Sequence, residues 1–405
     1  MKILLMICDG MGDRPCPELK GKTPLEAAKK PTMDWLAKNG QSGLMDVIAP
    51  GIVPGSDTAH LSLLGYDPAK TYTGRGPFEA AGLGLDVKKG DVAFRCNFAT
   101  VDKDMKVIDR RAGRISEGTD KLAAALNGMK IEDVEVQFKE AVEHRAVLVL
   151  RGPGLSPSVS DIDPHETGAR ILTVKALKPE AEKTARILNE FAKRSYQLLS
   201  QHDVNKAREK NGKLPANIIL PRGAGSPPDV PGFSETHNGL KSAAVVGISL
   251  VKGVCRIAGM DVLGVPGATG GKDTDLKAKA SAALKALETY DFVLLHIKAT
   301  DVFGHDNDPA GKAKFIEKID AAIKDFAKLD DTIICITADH STPCSVKEHA
   351  SDPVPVLIWG KGLRKDSVEK FGESEAACGG LGHLRGRDLV RILTGLAGRN
   401  GKFGA

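Results

Sequence analysis

The first ten residues, MKILLMICDG (Met1–Gly10), decide how the rest of the chain is read. The apolar run from Ile3 to Cys8 ends directly on Asp9, so it is too short to span a bilayer and lacks the small-residue site at which a secretory leader is cut. It reads as a first strand with an acid at its carboxyl end. Runs of the same kind, rich in β-branched residues, recur at Ala216–Leu220, Ala243–Ile248, Phe292–Ile297, Thr332–Thr337 and Val354–Trp359. Amphipathic segments at Pro24–Asn39, Pro179–Gln201, Thr274–Thr289, Pro309–Leu329 and Arg387–Leu396 separate them, with Pro24, Pro179 and Pro309 at helix starts. Strands alternating with helices predict an α/β sheet with helices on both faces.

The stretch from Gly74 to Lys178 has a different grain. Its strand candidates (Asp91–Thr100, Val134–Phe138, Arg145–Leu150) are punctuated by Gly and Pro, and its one clear helix is Gly118–Leu126. It is expected to be an inserted, smaller α+β domain (74–178), leaving a discontinuous principal domain built from 1–73 and 179–405. An insertion of this kind can close over a site as a lid.

Composition narrows the function. A chain of 405 residues with 41% apolar content has room for two or three domains with buried cores. The formal charge of +5 comes without a dense run of one sign, and aromatic residues make up 4%. Nucleic acid and membrane are therefore not expected partners, and small polar or charged substrates fit better. Seven cysteines form no C-x-x-C pair and are expected to be reduced, which points to the cytoplasm.

Acids and imidazoles gather where strand runs end. Asp9 follows the first run, Asp301 and His305 follow Phe292–Ile297, and Asp339 and His340 follow Thr332–Thr337. Ligands of open α/β sheets bind at the carboxyl ends of the strands. Asp301 and His305 stand four apart, on one face of a helical turn, and His349 precedes the run Val354–Trp359. Together with Ser56 these oxygen and imidazole donors, without thiolate, suit Mn²⁺, Zn²⁺, Co²⁺ or Mg²⁺, and they are enough for two ions. Ser56 lies in PGSDTAHLSLLG, near a helix start. There it either caps the helix or, activated by metal, acts as a nucleophile in phosphoryl displacement. GATGGKDTD (Gly267–Asp275) has the look of a nucleotide phosphate loop, but Pro266 and Asp273 stand where Gly and Ser or Thr are needed.

Five motifs then carry a resemblance: CDGMGD (8–13), GSDTAHLSLLG (55–65), KATDVFGHD (298–306), TADHSTP (337–343) and HASDPVPVLIWG (349–360). In this order they resemble the alkaline-phosphatase superfamily, and most closely the cofactor-independent phosphoglycerate mutases of archaeal type, with SDIDPHETG (160–168) in the insertion. The resemblance implies an alkaline-phosphatase-like domain with two divalent ions, Mn²⁺ foremost, and an insertion that binds glycerate. It implies Asp301, His305 and His349 on one ion, Asp9, Ser56, Asp339 and His340 on the other, and Ser56 as the phosphorylated residue.

The implied reaction interconverts 3- and 2-phosphoglycerate, without 2,3-bisphosphoglycerate. Lys252, Arg222, Arg151, Asp163 and His165 are the expected substrate contacts, with Lys252 matched by its place after GISLV. A homo-oligomer is compatible with the sequence. The rival expectation is a metal-dependent phosphomonoesterase or another phosphomutase on the same scaffold, because metal ligands do not specify the organic substrate.

Overall fold

The runs KILLMIC, FVLLHI and TIICIT are buried almost throughout in the computed structural model, which describes residues 1–402 and 404. In chain order the strands are β1 (Lys2–Cys8), β2 (Gln41–Asp46), β3 (Val92–Val101), β4 (Val107–Asp109), β5 (Lys130–Ile131), β6 (Val134–Glu140), β7 (Arg145–Arg151), β8 (Ile218–Gly225), β9 (Ser242–Val245), β10 (Asp261–Val262), β11 (Phe292–Ile297), β12 (Thr332–Thr337), β13 (Val354–Trp359) and β14 (Gly382–Arg385). The chain forms two units, Met1–Tyr72 with Val230–Ala405, and Thr73–Asp229.

The first unit holds an eight-stranded sheet in the order β10-β9-β11-β1-β12-β13-β2-β14. β1 lies between β11 and β12, parallel to both, with Cys8 opposite Ile297 and Ile7 opposite Thr337. Consecutive buried residues on these strands mean that both sheet faces are covered, as parallel sheets require. β13 runs antiparallel to β12 and β2. This is the expected α/β class.

The second unit is the expected smaller α+β body, but it is larger than the sequence suggested. Its sheet runs β4-β3-β7-β6-β5, with β8 also paired to β3. The 179–229 stretch, expected in the principal domain, belongs here. β8 pairs antiparallel with β3, setting Ile218 opposite Ala99. Phe191 of the helix Glu182–Ser200 packs 6.1 Å from Phe138, in one core with Phe98. The return to the first unit is therefore at 229/230 and not at Lys178, because β8 finds its edge in this sheet.

Local chemistry trims the helices. Pro24–Asn39 divides into Pro24–Ala27 and Pro31–Lys38, since Pro31 has no N–H for a continuous ladder and begins a new helix instead. Asp275 caps Leu276–Ala286 by accepting from Ala278 N. The expected helix Pro309–Leu329 ends as an α-helix at Ala322. All cysteines are free, and Cys378 alone is exposed. Among the described residues no helix is long and apolar enough to cross a membrane.

One buried ion pair ties the loops that carry the site. Lys312 Nζ donates to Asp13 Oδ2 (2.7 Å), Thr342 O (3.0 Å) and Gly12 O (3.3 Å), and both charged side chains are fully buried. Asp13 Oδ1 also accepts from Cys344 N at 3.1 Å. The turn after β1 is thereby bound to the loop after β12 and to the helix Pro309–Ala322. Removing one partner of such a pair leaves an uncompensated buried charge. Lys312→Met is expected to lower unfolding free energy by about 3–5 kcal/mol in denaturant titrations. The double variant with Asp13→Asn should recover part of that loss.

Glu373 meets the same corner from the other side. Its carboxylate accepts from Thr23 Oγ1 (2.6 Å) and Asp13 N (3.2 Å), while burial pushes its pKa up to about 7. The folded chain then holds this proton more tightly than the unfolded chain, so the contribution is full below about pH 4.5 and is lost as pH rises to about 7. Glu373→Gln is expected to gain about 1–2 kcal/mol on the parent between pH 4 and 8, allowing for the half-buried position. Paired denaturant titrations across that range check it.

Candidate active site

Three neighbouring parallel strands deliver the polar groups. Asp9 N donates to Ile297 O at 2.9 Å, extending the β1–β11 ladder by one residue, and Gly10 N donates to Asp339 Oδ1 at 3.1 Å. The ends of β11, β1 and β12 therefore meet at one sheet edge, as expected. Asp9, Asp339 and His340 are at most 1% exposed, and Asp301 is 2% exposed at the start of the helix Ala299–His305.

The contacts among these groups are dense. Asp9 Oδ2 accepts from His296 Nε2 (2.9 Å) and Asp9 Oδ1 from Lys298 Nζ (2.8 Å). His340 Nε2 lies 3.4 Å from Asp9 Oδ1 and 3.3 Å from Asp339 Oδ2. Asp301 Oδ2 lies 2.6 Å from Lys298 Nζ and 3.3 Å from His305 Nε2, and Asp301 Oδ1 lies 3.5 Å from His349 Nε2.

Backbone and hydroxyl partners fix how the imidazoles face. His305 Nδ1 donates to Lys347 O (2.7 Å) and His349 Nδ1 to Pro54 O (2.9 Å). His340 Nδ1 donates to Thr342 Oγ1 (3.0 Å), whose own proton goes to Asp301 Oδ1 (2.6 Å). Each ring is thereby turned with Nε2 toward the carboxylates, the arrangement in which a second partner orients a metal-ligating histidine. The His340 and His349 rings stack at 3.6 Å.

Ser56 enters from the opposite side of the sequence. It is the first residue of the helix Ser56–Leu63 and 7% exposed. Gly55 is the N-cap, so Ser56 is not the helix cap that its position in the sequence allowed. His60, one turn on, donates from Nδ1 to Ser56 O (2.7 Å) and lies 3.7 Å from Asp339 Oδ2. Pro54, two residues before Ser56, accepts from His349. The serine's turn is thus tied to the carboxylate cluster on both flanks.

Burial and charge set the protonation states. Burial raises the pKa of Asp9, but Lys298 and His296 outweigh it and hold the group below the usual carboxylate range. Asp339 is pushed well up, by burial first and then by the Asp9 charge. Burial brings His340 and His60 down to about 3, leaving both rings neutral with a lone pair to offer. His305 is raised to about 9 by Asp301.

Among the described residues, three sets of side chains are spaced to hold an ion: Asp9 with Asp339 and His340; Asp301 with His340 and His349; and His60 with His296 and Asp339. His340 falls in two sets, whereas His305, near Asp301, falls in none. His60 Nε2, His296 Nδ1, Asp339 Oδ2 and His340 Nε2 are buried with no hydrogen-bond partner, which is costly unless something binds there. His296 and Lys298 were not among the residues selected from the sequence. A histidine inside the apolar run FVLLHI was the available signal for the first.

Of the substrate-contact candidates, Asp163, His165 and Arg222 come together. Asp163 accepts two bonds from Arg110 (2.9 and 2.7 Å), lies 3.6 Å from Arg222 Nη1 and accepts from His165 N (2.9 Å). Arg110, not selected from the sequence, also meets His165 Nδ1 at 3.2 Å. Arg151 stands apart, because at the end of β7 its guanidinium forms a fork on Asp91 (3.0 and 2.7 Å). Lys252 lies on the helix Ser249–Ile257, which packs on the helix of Ser56.

Comparison with known proteins agrees along the whole chain. Residues 37–205 match the family model of 2,3-bisphosphoglycerate-independent phosphoglycerate mutase. Curated proteins of that name from Methanosphaera stadtmanae and Methanothermobacter thermautotrophicus are 52% and 53% identical, each over 100% of both chains. A solved structure from Pyrococcus horikoshii covers 100% of this chain and 99% of its own, at 45% identity and TM-score 0.88. The cofactor-independent phosphoglycerate mutase from Thermoplasma acidophilum covers 98% and 100%, at 40% identity and TM-score 0.78.

Gly10 makes the geometry testable. It has φ +62°, and a Cβ there would stand 2.6 Å from Asp301 Cβ and 2.7 Å from Asp301 Cα. Gly10→Ala is expected to cost at least about 2 kcal/mol and to weaken divalent-ion uptake, measured by denaturant titration and by metal analysis after dialysis.

Proposed function

Since the chain belongs to the family of 2,3-bisphosphoglycerate-independent phosphoglycerate mutases, we propose that it interconverts 3-phosphoglycerate and 2-phosphoglycerate by way of phosphorylated Ser56. One observation carries the finer reading. Carboxylates and neutral imidazoles from three strand ends converge beside the Ser56 helix, with buried polar atoms there lacking a partner.

Those residues fit divalent ions: the donors are carboxylate oxygen and imidazole nitrogen, and Mn²⁺ is the first to test. Asp301, His305 and His349 would hold one ion and Asp9, Ser56, Asp339 and His340 the other, with His340 near both groups. When bound, the ions lower the pKa of the serine hydroxyl and offset charge on the transferring phosphoryl group.

The chain's own groups do the rest. Ser56 Oγ attacks phosphorus, and the glycerate oxygen leaves. Bound glycerate then turns, and its 2-hydroxyl takes the phosphoryl group back from Ser56. The first-turn amides of the serine helix and Lys252 supply positive potential for the phosphoryl oxygens. Arg110 and Arg222, braced on Asp163, are the cationic groups of the smaller unit suited to a carboxylate or phosphate.

The test is phosphorus NMR of metal-loaded protein with 3-phosphoglycerate and no added bisphosphoglycerate. The 2-phosphate resonance is expected to grow without inorganic phosphate, to stop on chelation and to return with Mn²⁺. Ser56→Ala is expected to lose at least about 10³-fold in rate. Inorganic phosphate with no isomer would make the protein a phosphomonoesterase instead.

A further inference from the structure

Lys298 occupies a position that the reaction scheme leaves unused. It precedes the helix Ala299–His305, and its ammonium lies 2.8 Å from Asp9 Oδ1 and 2.6 Å from Asp301 Oδ2. It thus bridges the two carboxylates that the proposed function gives to different ions. The remaining oxygens are already engaged: Asp9 Oδ2 with His296 Nε2, and Asp301 Oδ1 with Thr342 Oγ1. A cation approaching either carboxylate from the His340 side therefore meets an ammonium already bound there.

We propose that Lys298 is an exchangeable internal counter-ion. It holds Asp9 and Asp301 together in the metal-free chain, leaves them when divalent ions bind, and is then free to face the phosphoryl group. This rests on the proposed two-ion reading. Asp9 and Asp301, drawn together at one sheet edge, repel each other, and the ammonium between them relieves that repulsion. Each divalent ion would bring its own carboxylate more positive charge than the shared ammonium does, so a lysine kept between the ions would be repelled. A dianionic phosphate ester would attract it. The side chain can make the move, because it is 18% exposed and an ammonium on a four-carbon stem reorients by rotation.

Two measurements test the exchange. In the parent chain, acetic anhydride labelling read by mass spectrometry should show Lys298 shielded without metal and labelled several-fold more with Mn²⁺. Lys312, buried in its separate pair with Asp13, serves as the unchanged reference. Equal shielding of Lys298 with and without bound Mn²⁺ would overturn the proposal. In Lys298→Met, the metal-free protein should melt at a lower temperature and bind Mn²⁺ about tenfold more tightly, by competition with a chelating dye. Unchanged or weaker binding by the folded variant would also overturn it. If the variant does not fold without metal, the labelling of the parent chain decides. A parent chain that takes up no divalent ion overturns the two-ion reading and the exchange together. Ion uptake with Lys298 still shielded overturns the exchange alone.

Discussion

The parallel pairing of β1 with both β11 and β12 is the constraint on which the site depends. Residues 289 and 330 positions apart in the chain become neighbours because Cys8 lies opposite Ile297 and Ile7 opposite Thr337. A slip of one residue would turn every side chain on a strand to the other face and carry Asp9 out of line with the ends of β11 and β12. Asp9 and Lys298 follow directly beyond β1 and β11, and Asp339 follows β12 after Ala338. The buried pair of Lys312 with Asp13 and the left-handed turn at Gly10 then hold the loops closely enough for Asp301 to approach Asp9.

Placing carboxylates this close creates an electrostatic problem that the surroundings answer unevenly. Asp9 is kept ionised by Lys298 and His296, while Asp339 is driven toward its protonated form by burial and by Asp9. The imidazoles are oriented by groups outside the cluster, namely Lys347 O, Pro54 O and Thr342 Oγ1. Such orientation costs ordering entropy and leaves lone pairs without partners. A fold selected for stability alone would have little reason to keep it.

Much of this was legible in the sequence, for identifiable reasons. Buried parallel strands leave continuous apolar runs, so β1, β11, β12 and β13 could be located within a residue or so, and each acid or histidine just after a run was a natural site candidate. The domain boundary was not legible. Residues 179–229 have the same strand-and-helix grain as the principal domain, and it is the pairing of β8 with β3 and the packing of Phe191 on Phe138 that assign them to the smaller unit. His296 and Lys298 were overlooked because one sits within an apolar run and the other looks like a surface lysine. Arg151 and Arg110 are distinguishable only once their partners, Asp91 and Asp163, are known.

The most direct test of the account is anomalous diffraction at the manganese edge from crystals grown with Mn²⁺. A pair of peaks is expected, one against Asp9, Asp339 and His340 and one against Asp301 and His349, with the hydroxyl of Ser56 beside the first. Absence of anomalous signal at that sheet edge, or a Ser56 hydroxyl turned away from it, would contradict the account.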